Sequence, residues 1–326
     1  MIDGCKRNID YIRISVTDRC NLRCIYCMPD EGVKHLHHED ILTYEEIVRL
    51  CRCFVKLGIN KIKITGGEPL VRKDIAILIG QIKELDGVKS VTLTTNGVML
   101  KEQLPDLMRA GLDGVNISLD TLSPMIYENI TGKDALQKVL EALEESLKYQ
   151  ELVLKINCVP MQETDNMDII NIASLAKRAR INVRFIEMMP IGLGKNYSYY
   201  SNDKIIKILE QVYGTLETTN NLYGNGPAHY YSVKGFEGKI GFISALSHQF
   251  CGECNRVRLT SDGFLKTCLH FTASTDLKAI LRGNIEDSIL EQEIKQAVYD
   301  KPISHNFKEN NHKDMFEQGQ MSRIGG

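Results

Sequence analysis

The stretch Tyr11-Ile12-Arg13-Ile14-Ser15-Val16 alternates Ile12, Ile14 and Val16 with Tyr11, Arg13 and Ser15, then runs through Thr17-Asp18-Arg19 into Cys20. Period-two alternation rich in branched residues reads as a strand with one apolar face. Downstream, Thr43-Tyr44-Glu45-Glu46 has the form of a capping box, Thr43 bonding forward and Glu46 reaching back. The helix it opens carries Ile47, Leu50, Cys51, Phe54 and Leu57 on one face and stops at Gly58.

Working outward, this strand–helix unit recurs. Strand-like runs follow at 61–64, 90–94, 114–118, 152–159 and 183–187, with helical patterns near 75–85, 102–110, 135–148 and 168–179. Six strands joined by right-handed helical crossovers imply a parallel sheet. Six repeats fall short of the usual eight-stranded closure, so the expected fold is α/β, a partial (β/α)6 TIM-like barrel. In such sheets functional residues collect just after strand C-termini.

The rhythm breaks after Met189. The segment 192–200 reads as a loop and 202–213 as a helix, followed by short strands near 215–218, 230–234 and 239–243. A hairpin is expected around Ser261-Asp262-Gly263, then helices at 276–282 and 285–299 and a polar tail ending Gly325-Gly326. This predicts two units, residues 1–190 and an α+β extension at 191–326. No Pro- or Ser-rich linker separates them, so the extension should pack directly on the barrel.

The chain has 326 residues and a formal net charge of only −2, with 43% hydrophobic and 25% charged residues. This composition is ordinary for a soluble globular protein and gives no sign of bulk affinity for nucleic acid or membranes. No apolar run approaches the roughly 20 residues of a membrane span, and the N-terminus lacks the apolar centre of a secretory signal. The ten cysteines are therefore expected in a reducing cytoplasm, as metal ligands or core residues.

Six of those cysteines fall into two groups. Cys20, Cys24 and Cys27 follow the first strand, and a three-thiolate set of this spacing leaves one metal of a 4Fe–4S cube open. Zinc is the alternative reading. Cys251, Cys254 and Cys268 form the second triad, and spacing alone leaves iron–sulfur and zinc equal, with His248 or His270 as a fourth zinc ligand. Between them, Arg256 and Arg258 stand at i and i+2, on one face of any strand.

The first triad, followed by Thr65-Gly66-Gly67-Glu68-Pro69, resembles the radical S-adenosylmethionine superfamily. Within it, ordered motifs along nearly the whole chain resemble the branch that cyclises GTP at the start of molybdenum-cofactor biosynthesis. These are Leu93-Thr94-Thr95-Asn96-Gly97, Asn116-Ile117-Ser118-Leu119-Asp120, Arg184-Phe185-Ile186-Glu187-Met188-Met189 and Phe250-Cys251-Gly252-Glu253-Cys254-Asn255-Arg256-Val257-Arg258.

The resemblance implies a lyase with two 4Fe–4S clusters and S-adenosyl-L-methionine. The first cluster would generate a 5′-deoxyadenosyl radical that takes the ribose C3′ hydrogen of GTP, giving 3′,8-cyclo-7,8-dihydro-GTP. The second would bind guanine at its open iron. Tyr26, Gly67, Glu68, Ser118 and Met189 would contact S-adenosylmethionine. Arg13, Lys63, Thr94, Lys155, Arg256, Val257 and Arg258 would face GTP, Lys63 replacing the family's usual arginine. Gly325 and Gly326 would reach the active site and support catalysis, with Arg323 as a further cation near it.

The implied partners are GTP, an external electron donor (flavodoxin-like or a chemical reductant) and a downstream cyclic pyranopterin monophosphate synthase that takes the product. Homodimers are common in the family. The stretch Asp3-Gly4-Cys5-Lys6-Arg7 departs from the usual Gly-Arg and is expected to leave the catalytic residues untouched. Two rival readings are a radical peptide maturase with an auxiliary cluster and a non-catalytic zinc-binding protein.

Overall fold

A computed structural model describes residues 1–29, 31–219, 223–283, 285–305, 307, 317 and 321–324, without the side chains of 322 and 323. Its centre is a series of strands, β1 (Tyr11–Ser15), β2 (Lys61–Thr65), β3 (Ser90–Thr95), β4 (Gly114–Ser118), β5 (Val153–Cys158) and β6 (Asn182–Ile186), paired in order and all parallel. The crossovers carry α1 (Tyr44–Lys56), α2 (Ile75–Lys83), α3 (Leu100–Arg109), α4 (Pro124–Thr131), α5 (Leu136–Ser146) and α6 (Asn166–Arg178).

Alternation in the strands decides which way each side chain faces. Ile12, Ile14, Ile62, Ile64, Val91, Leu93, Val115, Ile117, Leu154, Ile156, Val183 and Phe185 are buried in one continuous core with the helices. Burying each such side chain contributes roughly 1.5–3 kcal/mol, so a one-residue slip of register is strongly disfavoured. The intervening residues, among them Arg13, Lys63, Thr94, Asn116, Lys155 and Arg184, therefore face the hollow of the sheet, where they line its cavities. At the start of α1 the capping box is present, with Glu46 N donating to Thr43 Oγ1 at 3.2 Å and Thr43 N to Glu46 Oε2 at 2.8 Å.

The six-strand reading of the barrel gains a strand at each edge. β9 (Ile240–Ile243) pairs parallel with β6, and β10 (Arg256–Leu259) pairs parallel with β1. Antiparallel β7 (Glu217–Thr218) and β8 (His229–Ser232) continue one edge; β11 (Phe264–Lys266) and β12 (Thr275–Asp276) continue the other. The result is one open twelve-stranded sheet with eight parallel strands at its centre. The expected hairpin turns at Ser261–Gly263, where Gly263 has φ +89°.

Helix α7 (Asn202–Tyr213) packs on α6. Helices α8 (Leu277–Arg282) and α9 (Asp287–Tyr299) lie beside α1, tied by Arg49–Asp287 and Arg282–Glu46 ion pairs at 2.7 Å. A last turn, α10 (Met321–Ile324), buries Ile324. Gly325 and Gly326 lie outside the described residues, as does the Arg323 side chain.

Candidate active site

Both cysteine triads line a single cavity of about 320 Å³, which runs along the inner face of the parallel strands. Cys20, Cys24 and Cys27 sit on the loop after β1, where Cys27 N and Met28 N both donate to Cys24 O at 2.8 and 2.9 Å. Cys251, Cys254 and Cys268 come from the strands beside β1, on the approach to β10 and after β11, at the end of that strand pair opposite the first triad. The thiols ring a volume: among the described residues, no three His, Cys, Asp or Glu side chains draw close enough to hold a single ion.

Surroundings of the first triad are acidic. Burial pushes the Cys20 and Cys24 thiols up, with Glu68 adding to the first and Cys27 and Asp120 to the second. Tyr26 donates its hydroxyl to Asp120 Oδ2 at 2.7 Å, and Asp120 Oδ1 accepts from Val159 N at 2.8 Å. Glu68, only 1% exposed, accepts from Thr95 Oγ1 (2.7 Å), Leu70 N (3.0 Å) and Asn96 N (2.6 Å). Its carboxyl, raised to about 7 by burial, is held by these three donors while it lines the same cavity.

The glycines beside Glu68 have a specific steric reason. A Cβ on Gly67 would collide with Arg19 O and stand 2.7 Å from Arg19 C and 2.9 Å from Asp18 O; on Gly66 it would lie 2.9 Å from Thr17 O. Gly67 N also donates to Thr17 O at 2.7 Å. This turn therefore packs against the backbone that delivers Cys20. Asn96, quoted in a motif but not singled out as a site residue, donates to Asn21 Oδ1 at 2.7 Å and lies 3.9 Å from Cys20 Sγ. Ser118 and Met189 line the same cavity.

The second triad has a cationic setting. Burial pushes the Cys254 thiol up, but Arg256 and Lys301 outweigh it and leave it at about 7. Arg256 lies over the Phe250 ring at 5.1 Å, and its buried Nε and Nη2 have no hydrogen-bond partner among the described residues. His270 lines the cavity, whereas His248 is exposed and 3.3 Å from Asp203, so the second candidate zinc ligand is not at the site.

From this cavity a row of cations leads down the inner face of the sheet. Arg13 stands in register between Arg258 and Lys63, Asn116 between Thr94 and Lys155, and Asn157 beside Arg184. Arg13, Lys63, Lys155, Arg184 and Arg256 line an adjoining cavity of about 550 Å³. Burial, then Arg184, Arg13 and Lys155, push Lys63 well below the usual lysine range; burial and Arg184 bring Lys155 to about 7. So many buried like charges are stable only opposite an anion.

Arg184 was not singled out, although it holds the same inward position in β6 as Lys155 does in β5. Val257 behaves differently from the expectation that placed it on GTP. Its register partner is Ile12 and its side chain is 1% exposed in the core, so what it can offer the cavity is main chain.

Comparison with known proteins agrees with this geometry. Residues 14–176 match the Radical SAM superfamily model, and 181–307 match the Molybdenum Cofactor Synthesis C model. A Clostridium perfringens (strain SM101) protein named GTP 3′,8-cyclase is 42% identical over 94% of this chain and 95% of its own. One from Petrotoga mobilis is 42% identical over the full length of both.

The chain belongs to the GTP 3′,8-cyclase family.

The family makes it a radical S-adenosylmethionine enzyme, which uses a 4Fe–4S cluster and S-adenosylmethionine. Dictyostelium discoideum Molybdenum cofactor biosynthesis protein 1 is 38% identical over 99% of this chain and 53% of its own length. Among solved structures, Streptococcus suis SuiB bound to S-adenosylmethionine superposes with a TM-score of 0.59. The match covers 91% of this chain and 65% of that one, at 15% identity, which is a likeness of fold. The first triad fits the cluster a cyclase of this family carries: three thiols on one loop, lining the cavity.

Proposed function

We propose that this chain converts GTP to (8S)-3′,8-cyclo-7,8-dihydroguanosine 5′-triphosphate, the first step of molybdenum-cofactor biosynthesis, in the cytoplasm. The observation that carries the reading is the shared cavity, with an acid-flanked thiol triad on one side and a cation-flanked triad on the other, continuous with a buried cation row. The first triad would hold a 4Fe–4S cluster that supplies, with S-adenosylmethionine, a 5′-deoxyadenosyl radical to the ribose C3′ of GTP. Cys251, Cys254 and Cys268 would hold a second such cluster beside the guanine.

The chain's own residues bind and orient. Arg13, Lys63, Lys155, Arg256 and Arg258 neutralise the triphosphate, the guanidinium forks pairing with phosphate oxygens. Arg184 joins them from its inward position in β6. Tyr26 and Asp120 form the wall beside the first triad, and Ser118 and Met189 complete the contact surface for S-adenosylmethionine. Thr94 lies between the two ligands at the end of β3. The triphosphate is a handle and is not cleaved, consistent with the absence of a Gly-x4-Gly-Lys-Ser/Thr loop in the sequence.

Electrons come from an external donor, flavodoxin-like or a chemical reductant, and a cyclic pyranopterin monophosphate synthase takes the product. Met321, in α10, lines the cavity wall, and Gly325 and Gly326, which lie outside the described residues, would support catalysis as the family resemblance implies. The test is isotopic. GTP deuterated at C3′, given to reduced, reconstituted enzyme with S-adenosylmethionine, should transfer its label to 5′-deoxyadenosine. Cleavage of S-adenosylmethionine with no label transferred and no GTP consumed would refute the proposal.

A further inference from the structure

The N-terminal loop, whose departure from the family pattern is expected to leave the catalytic residues untouched, reaches the main chain of Cys251 in the second triad. Lys6 adopts a left-handed conformation (φ +63°), and this turn folds Asp3 against Arg7. Asp3 Oδ1 accepts from Cys5 N at 3.0 Å and Arg7 N at 2.8 Å, while Asp3 Oδ2 accepts from Arg7 Nε at 2.6 Å. The remaining guanidinium nitrogens donate to four carbonyls. Nη1 reaches Cys251 O and Ile303 O, both at 2.9 Å; Nη2 reaches Lys301 O at 3.2 Å and Pro302 O at 2.7 Å.

The clasp thus fixes the backbone of 301–303 and of Cys251 together. It turns the Lys301 side chain inward, where it is 4% exposed. Lys301 Nζ donates to Arg256 O at 3.1 Å and to Thr267 O, so it touches the main chain beside two of the three cysteines, and it lines the cavity that all three share. Among the described residues no carboxylate pairs with it. A buried ammonium is costly unless it faces negative charge, and the second triad, lining the same cavity, supplies it when its sulfurs ligate a metal group as thiolates.

We propose that Lys301, aimed by the Asp3–Arg7 clasp, is a positioning residue that balances the negative charge of the second triad and sets the reduction potential of the group that triad holds. The inference rests on the reading of that triad as a cluster site. Neutral Met in place of Lys301 keeps the length and removes the charge, whereas Arg keeps both.

The experiment is a titration of reconstituted full-length Lys301→Met, Lys301→Arg and Arg7→Gln, followed by electron paramagnetic resonance, with the first cluster as internal reference. Lys301→Met should shift the oxidised-to-reduced ratio of the second centre at least tenfold toward oxidised, ~59 mV for a one-electron couple, leaving the first unmoved. Lys301→Arg should restore most of that shift, and Arg7→Gln should reproduce a smaller part of it. A second centre that does not move, or two centres that move together, would overturn the role of Lys301; an unmoved Arg7→Gln would overturn the clasp.

If Lys301→Met fails to retain second-site iron, cluster-free protein supplies the answer. Alkylation of Cys254 by iodoacetamide should slow at least tenfold relative to Cys20, and an unchanged ratio overturns the proposal. Wild-type protein lacking iron at the second triad would instead contradict the cluster reading, and the alkylation ratio would then judge Lys301 by itself.

Discussion

The two cysteine triads face one cavity from opposite ends of the neighbouring strands β1 and β10, yet their surroundings carry opposite charge. Near Cys20, Cys24 and Cys27 stand Glu68 and Asp120, and burial pushes the thiols up. Near Cys251, Cys254 and Cys268 stand Arg256 and Lys301, and Cys254 comes down to about 7. S-adenosylmethionine carries a sulfonium and an ammonium group, and GTP a triphosphate. The two triads thus have opposite electrostatic surroundings, and on the proposed function the same three-thiol chemistry would be given two tasks by its neighbours.

Removing a thiol from either side should have the largest effect. Cys20→Ala should abolish 5′-deoxyadenosine formation, whereas Cys254→Ser should still allow uncoupled cleavage of S-adenosylmethionine while GTP turnover is lost, both read by chromatography of the products. Equal loss in both variants would erase the distinction between the triads. Next, Arg256→Ala with Arg258→Ala should lower kcat/KM for GTP about a thousandfold, roughly 4 kcal/mol, with iron content unchanged. Loss of iron in that variant would make the pair structural.

Gly67→Ala sharpens the comparison by loosening one side alone. The added methyl meets the Arg19 backbone, so a cost of about 2–4 kcal/mol in thermal unfolding is expected, with iron lost from the first triad and kept at the second.

The phosphate end should respond to pH. Lys155, near 7 in the fold, is largely neutral above that value, and a bound triphosphate favours its charged form. Binding then takes up a proton, so GTP affinity should weaken about fivefold from pH 7 to pH 8, measured by calorimetry in two buffers. Lys155→Arg should flatten the profile. The smallest effect belongs to Val257→Ala, which should cost about 2 kcal/mol of stability while leaving the KM for GTP within about twofold.

Much of this was legible in the sequence because period-two patterns report which face is buried. The alternation in Tyr11–Ser15 already separates Ile12 and Ile14 from Arg13, and the same rule applied to β6 would have found Arg184. Applied to Arg256-Val257-Arg258, it would have placed Val257 in the core. The two extra parallel strands were harder to foresee, since β9 and β10 are four residues each and join the sheet without a crossover helix of the repeating kind. Arg7 and Lys301 had no local signal: they meet across 294 residues of chain, and only the folded molecule puts them together. Glu68 was legible as a residue, but its partners Thr95 and Asn96 were not, because they come from another strand end.

The account depends most on both triads holding the same kind of cluster in one molecule. Anaerobic reconstitution followed by iron, sulfide and zinc analysis tests this directly. About eight irons with matching sulfide per chain are expected for the wild type, falling to about four in Cys254→Ser. Four irons with one zinc in the wild type, or zinc alone, would contradict it.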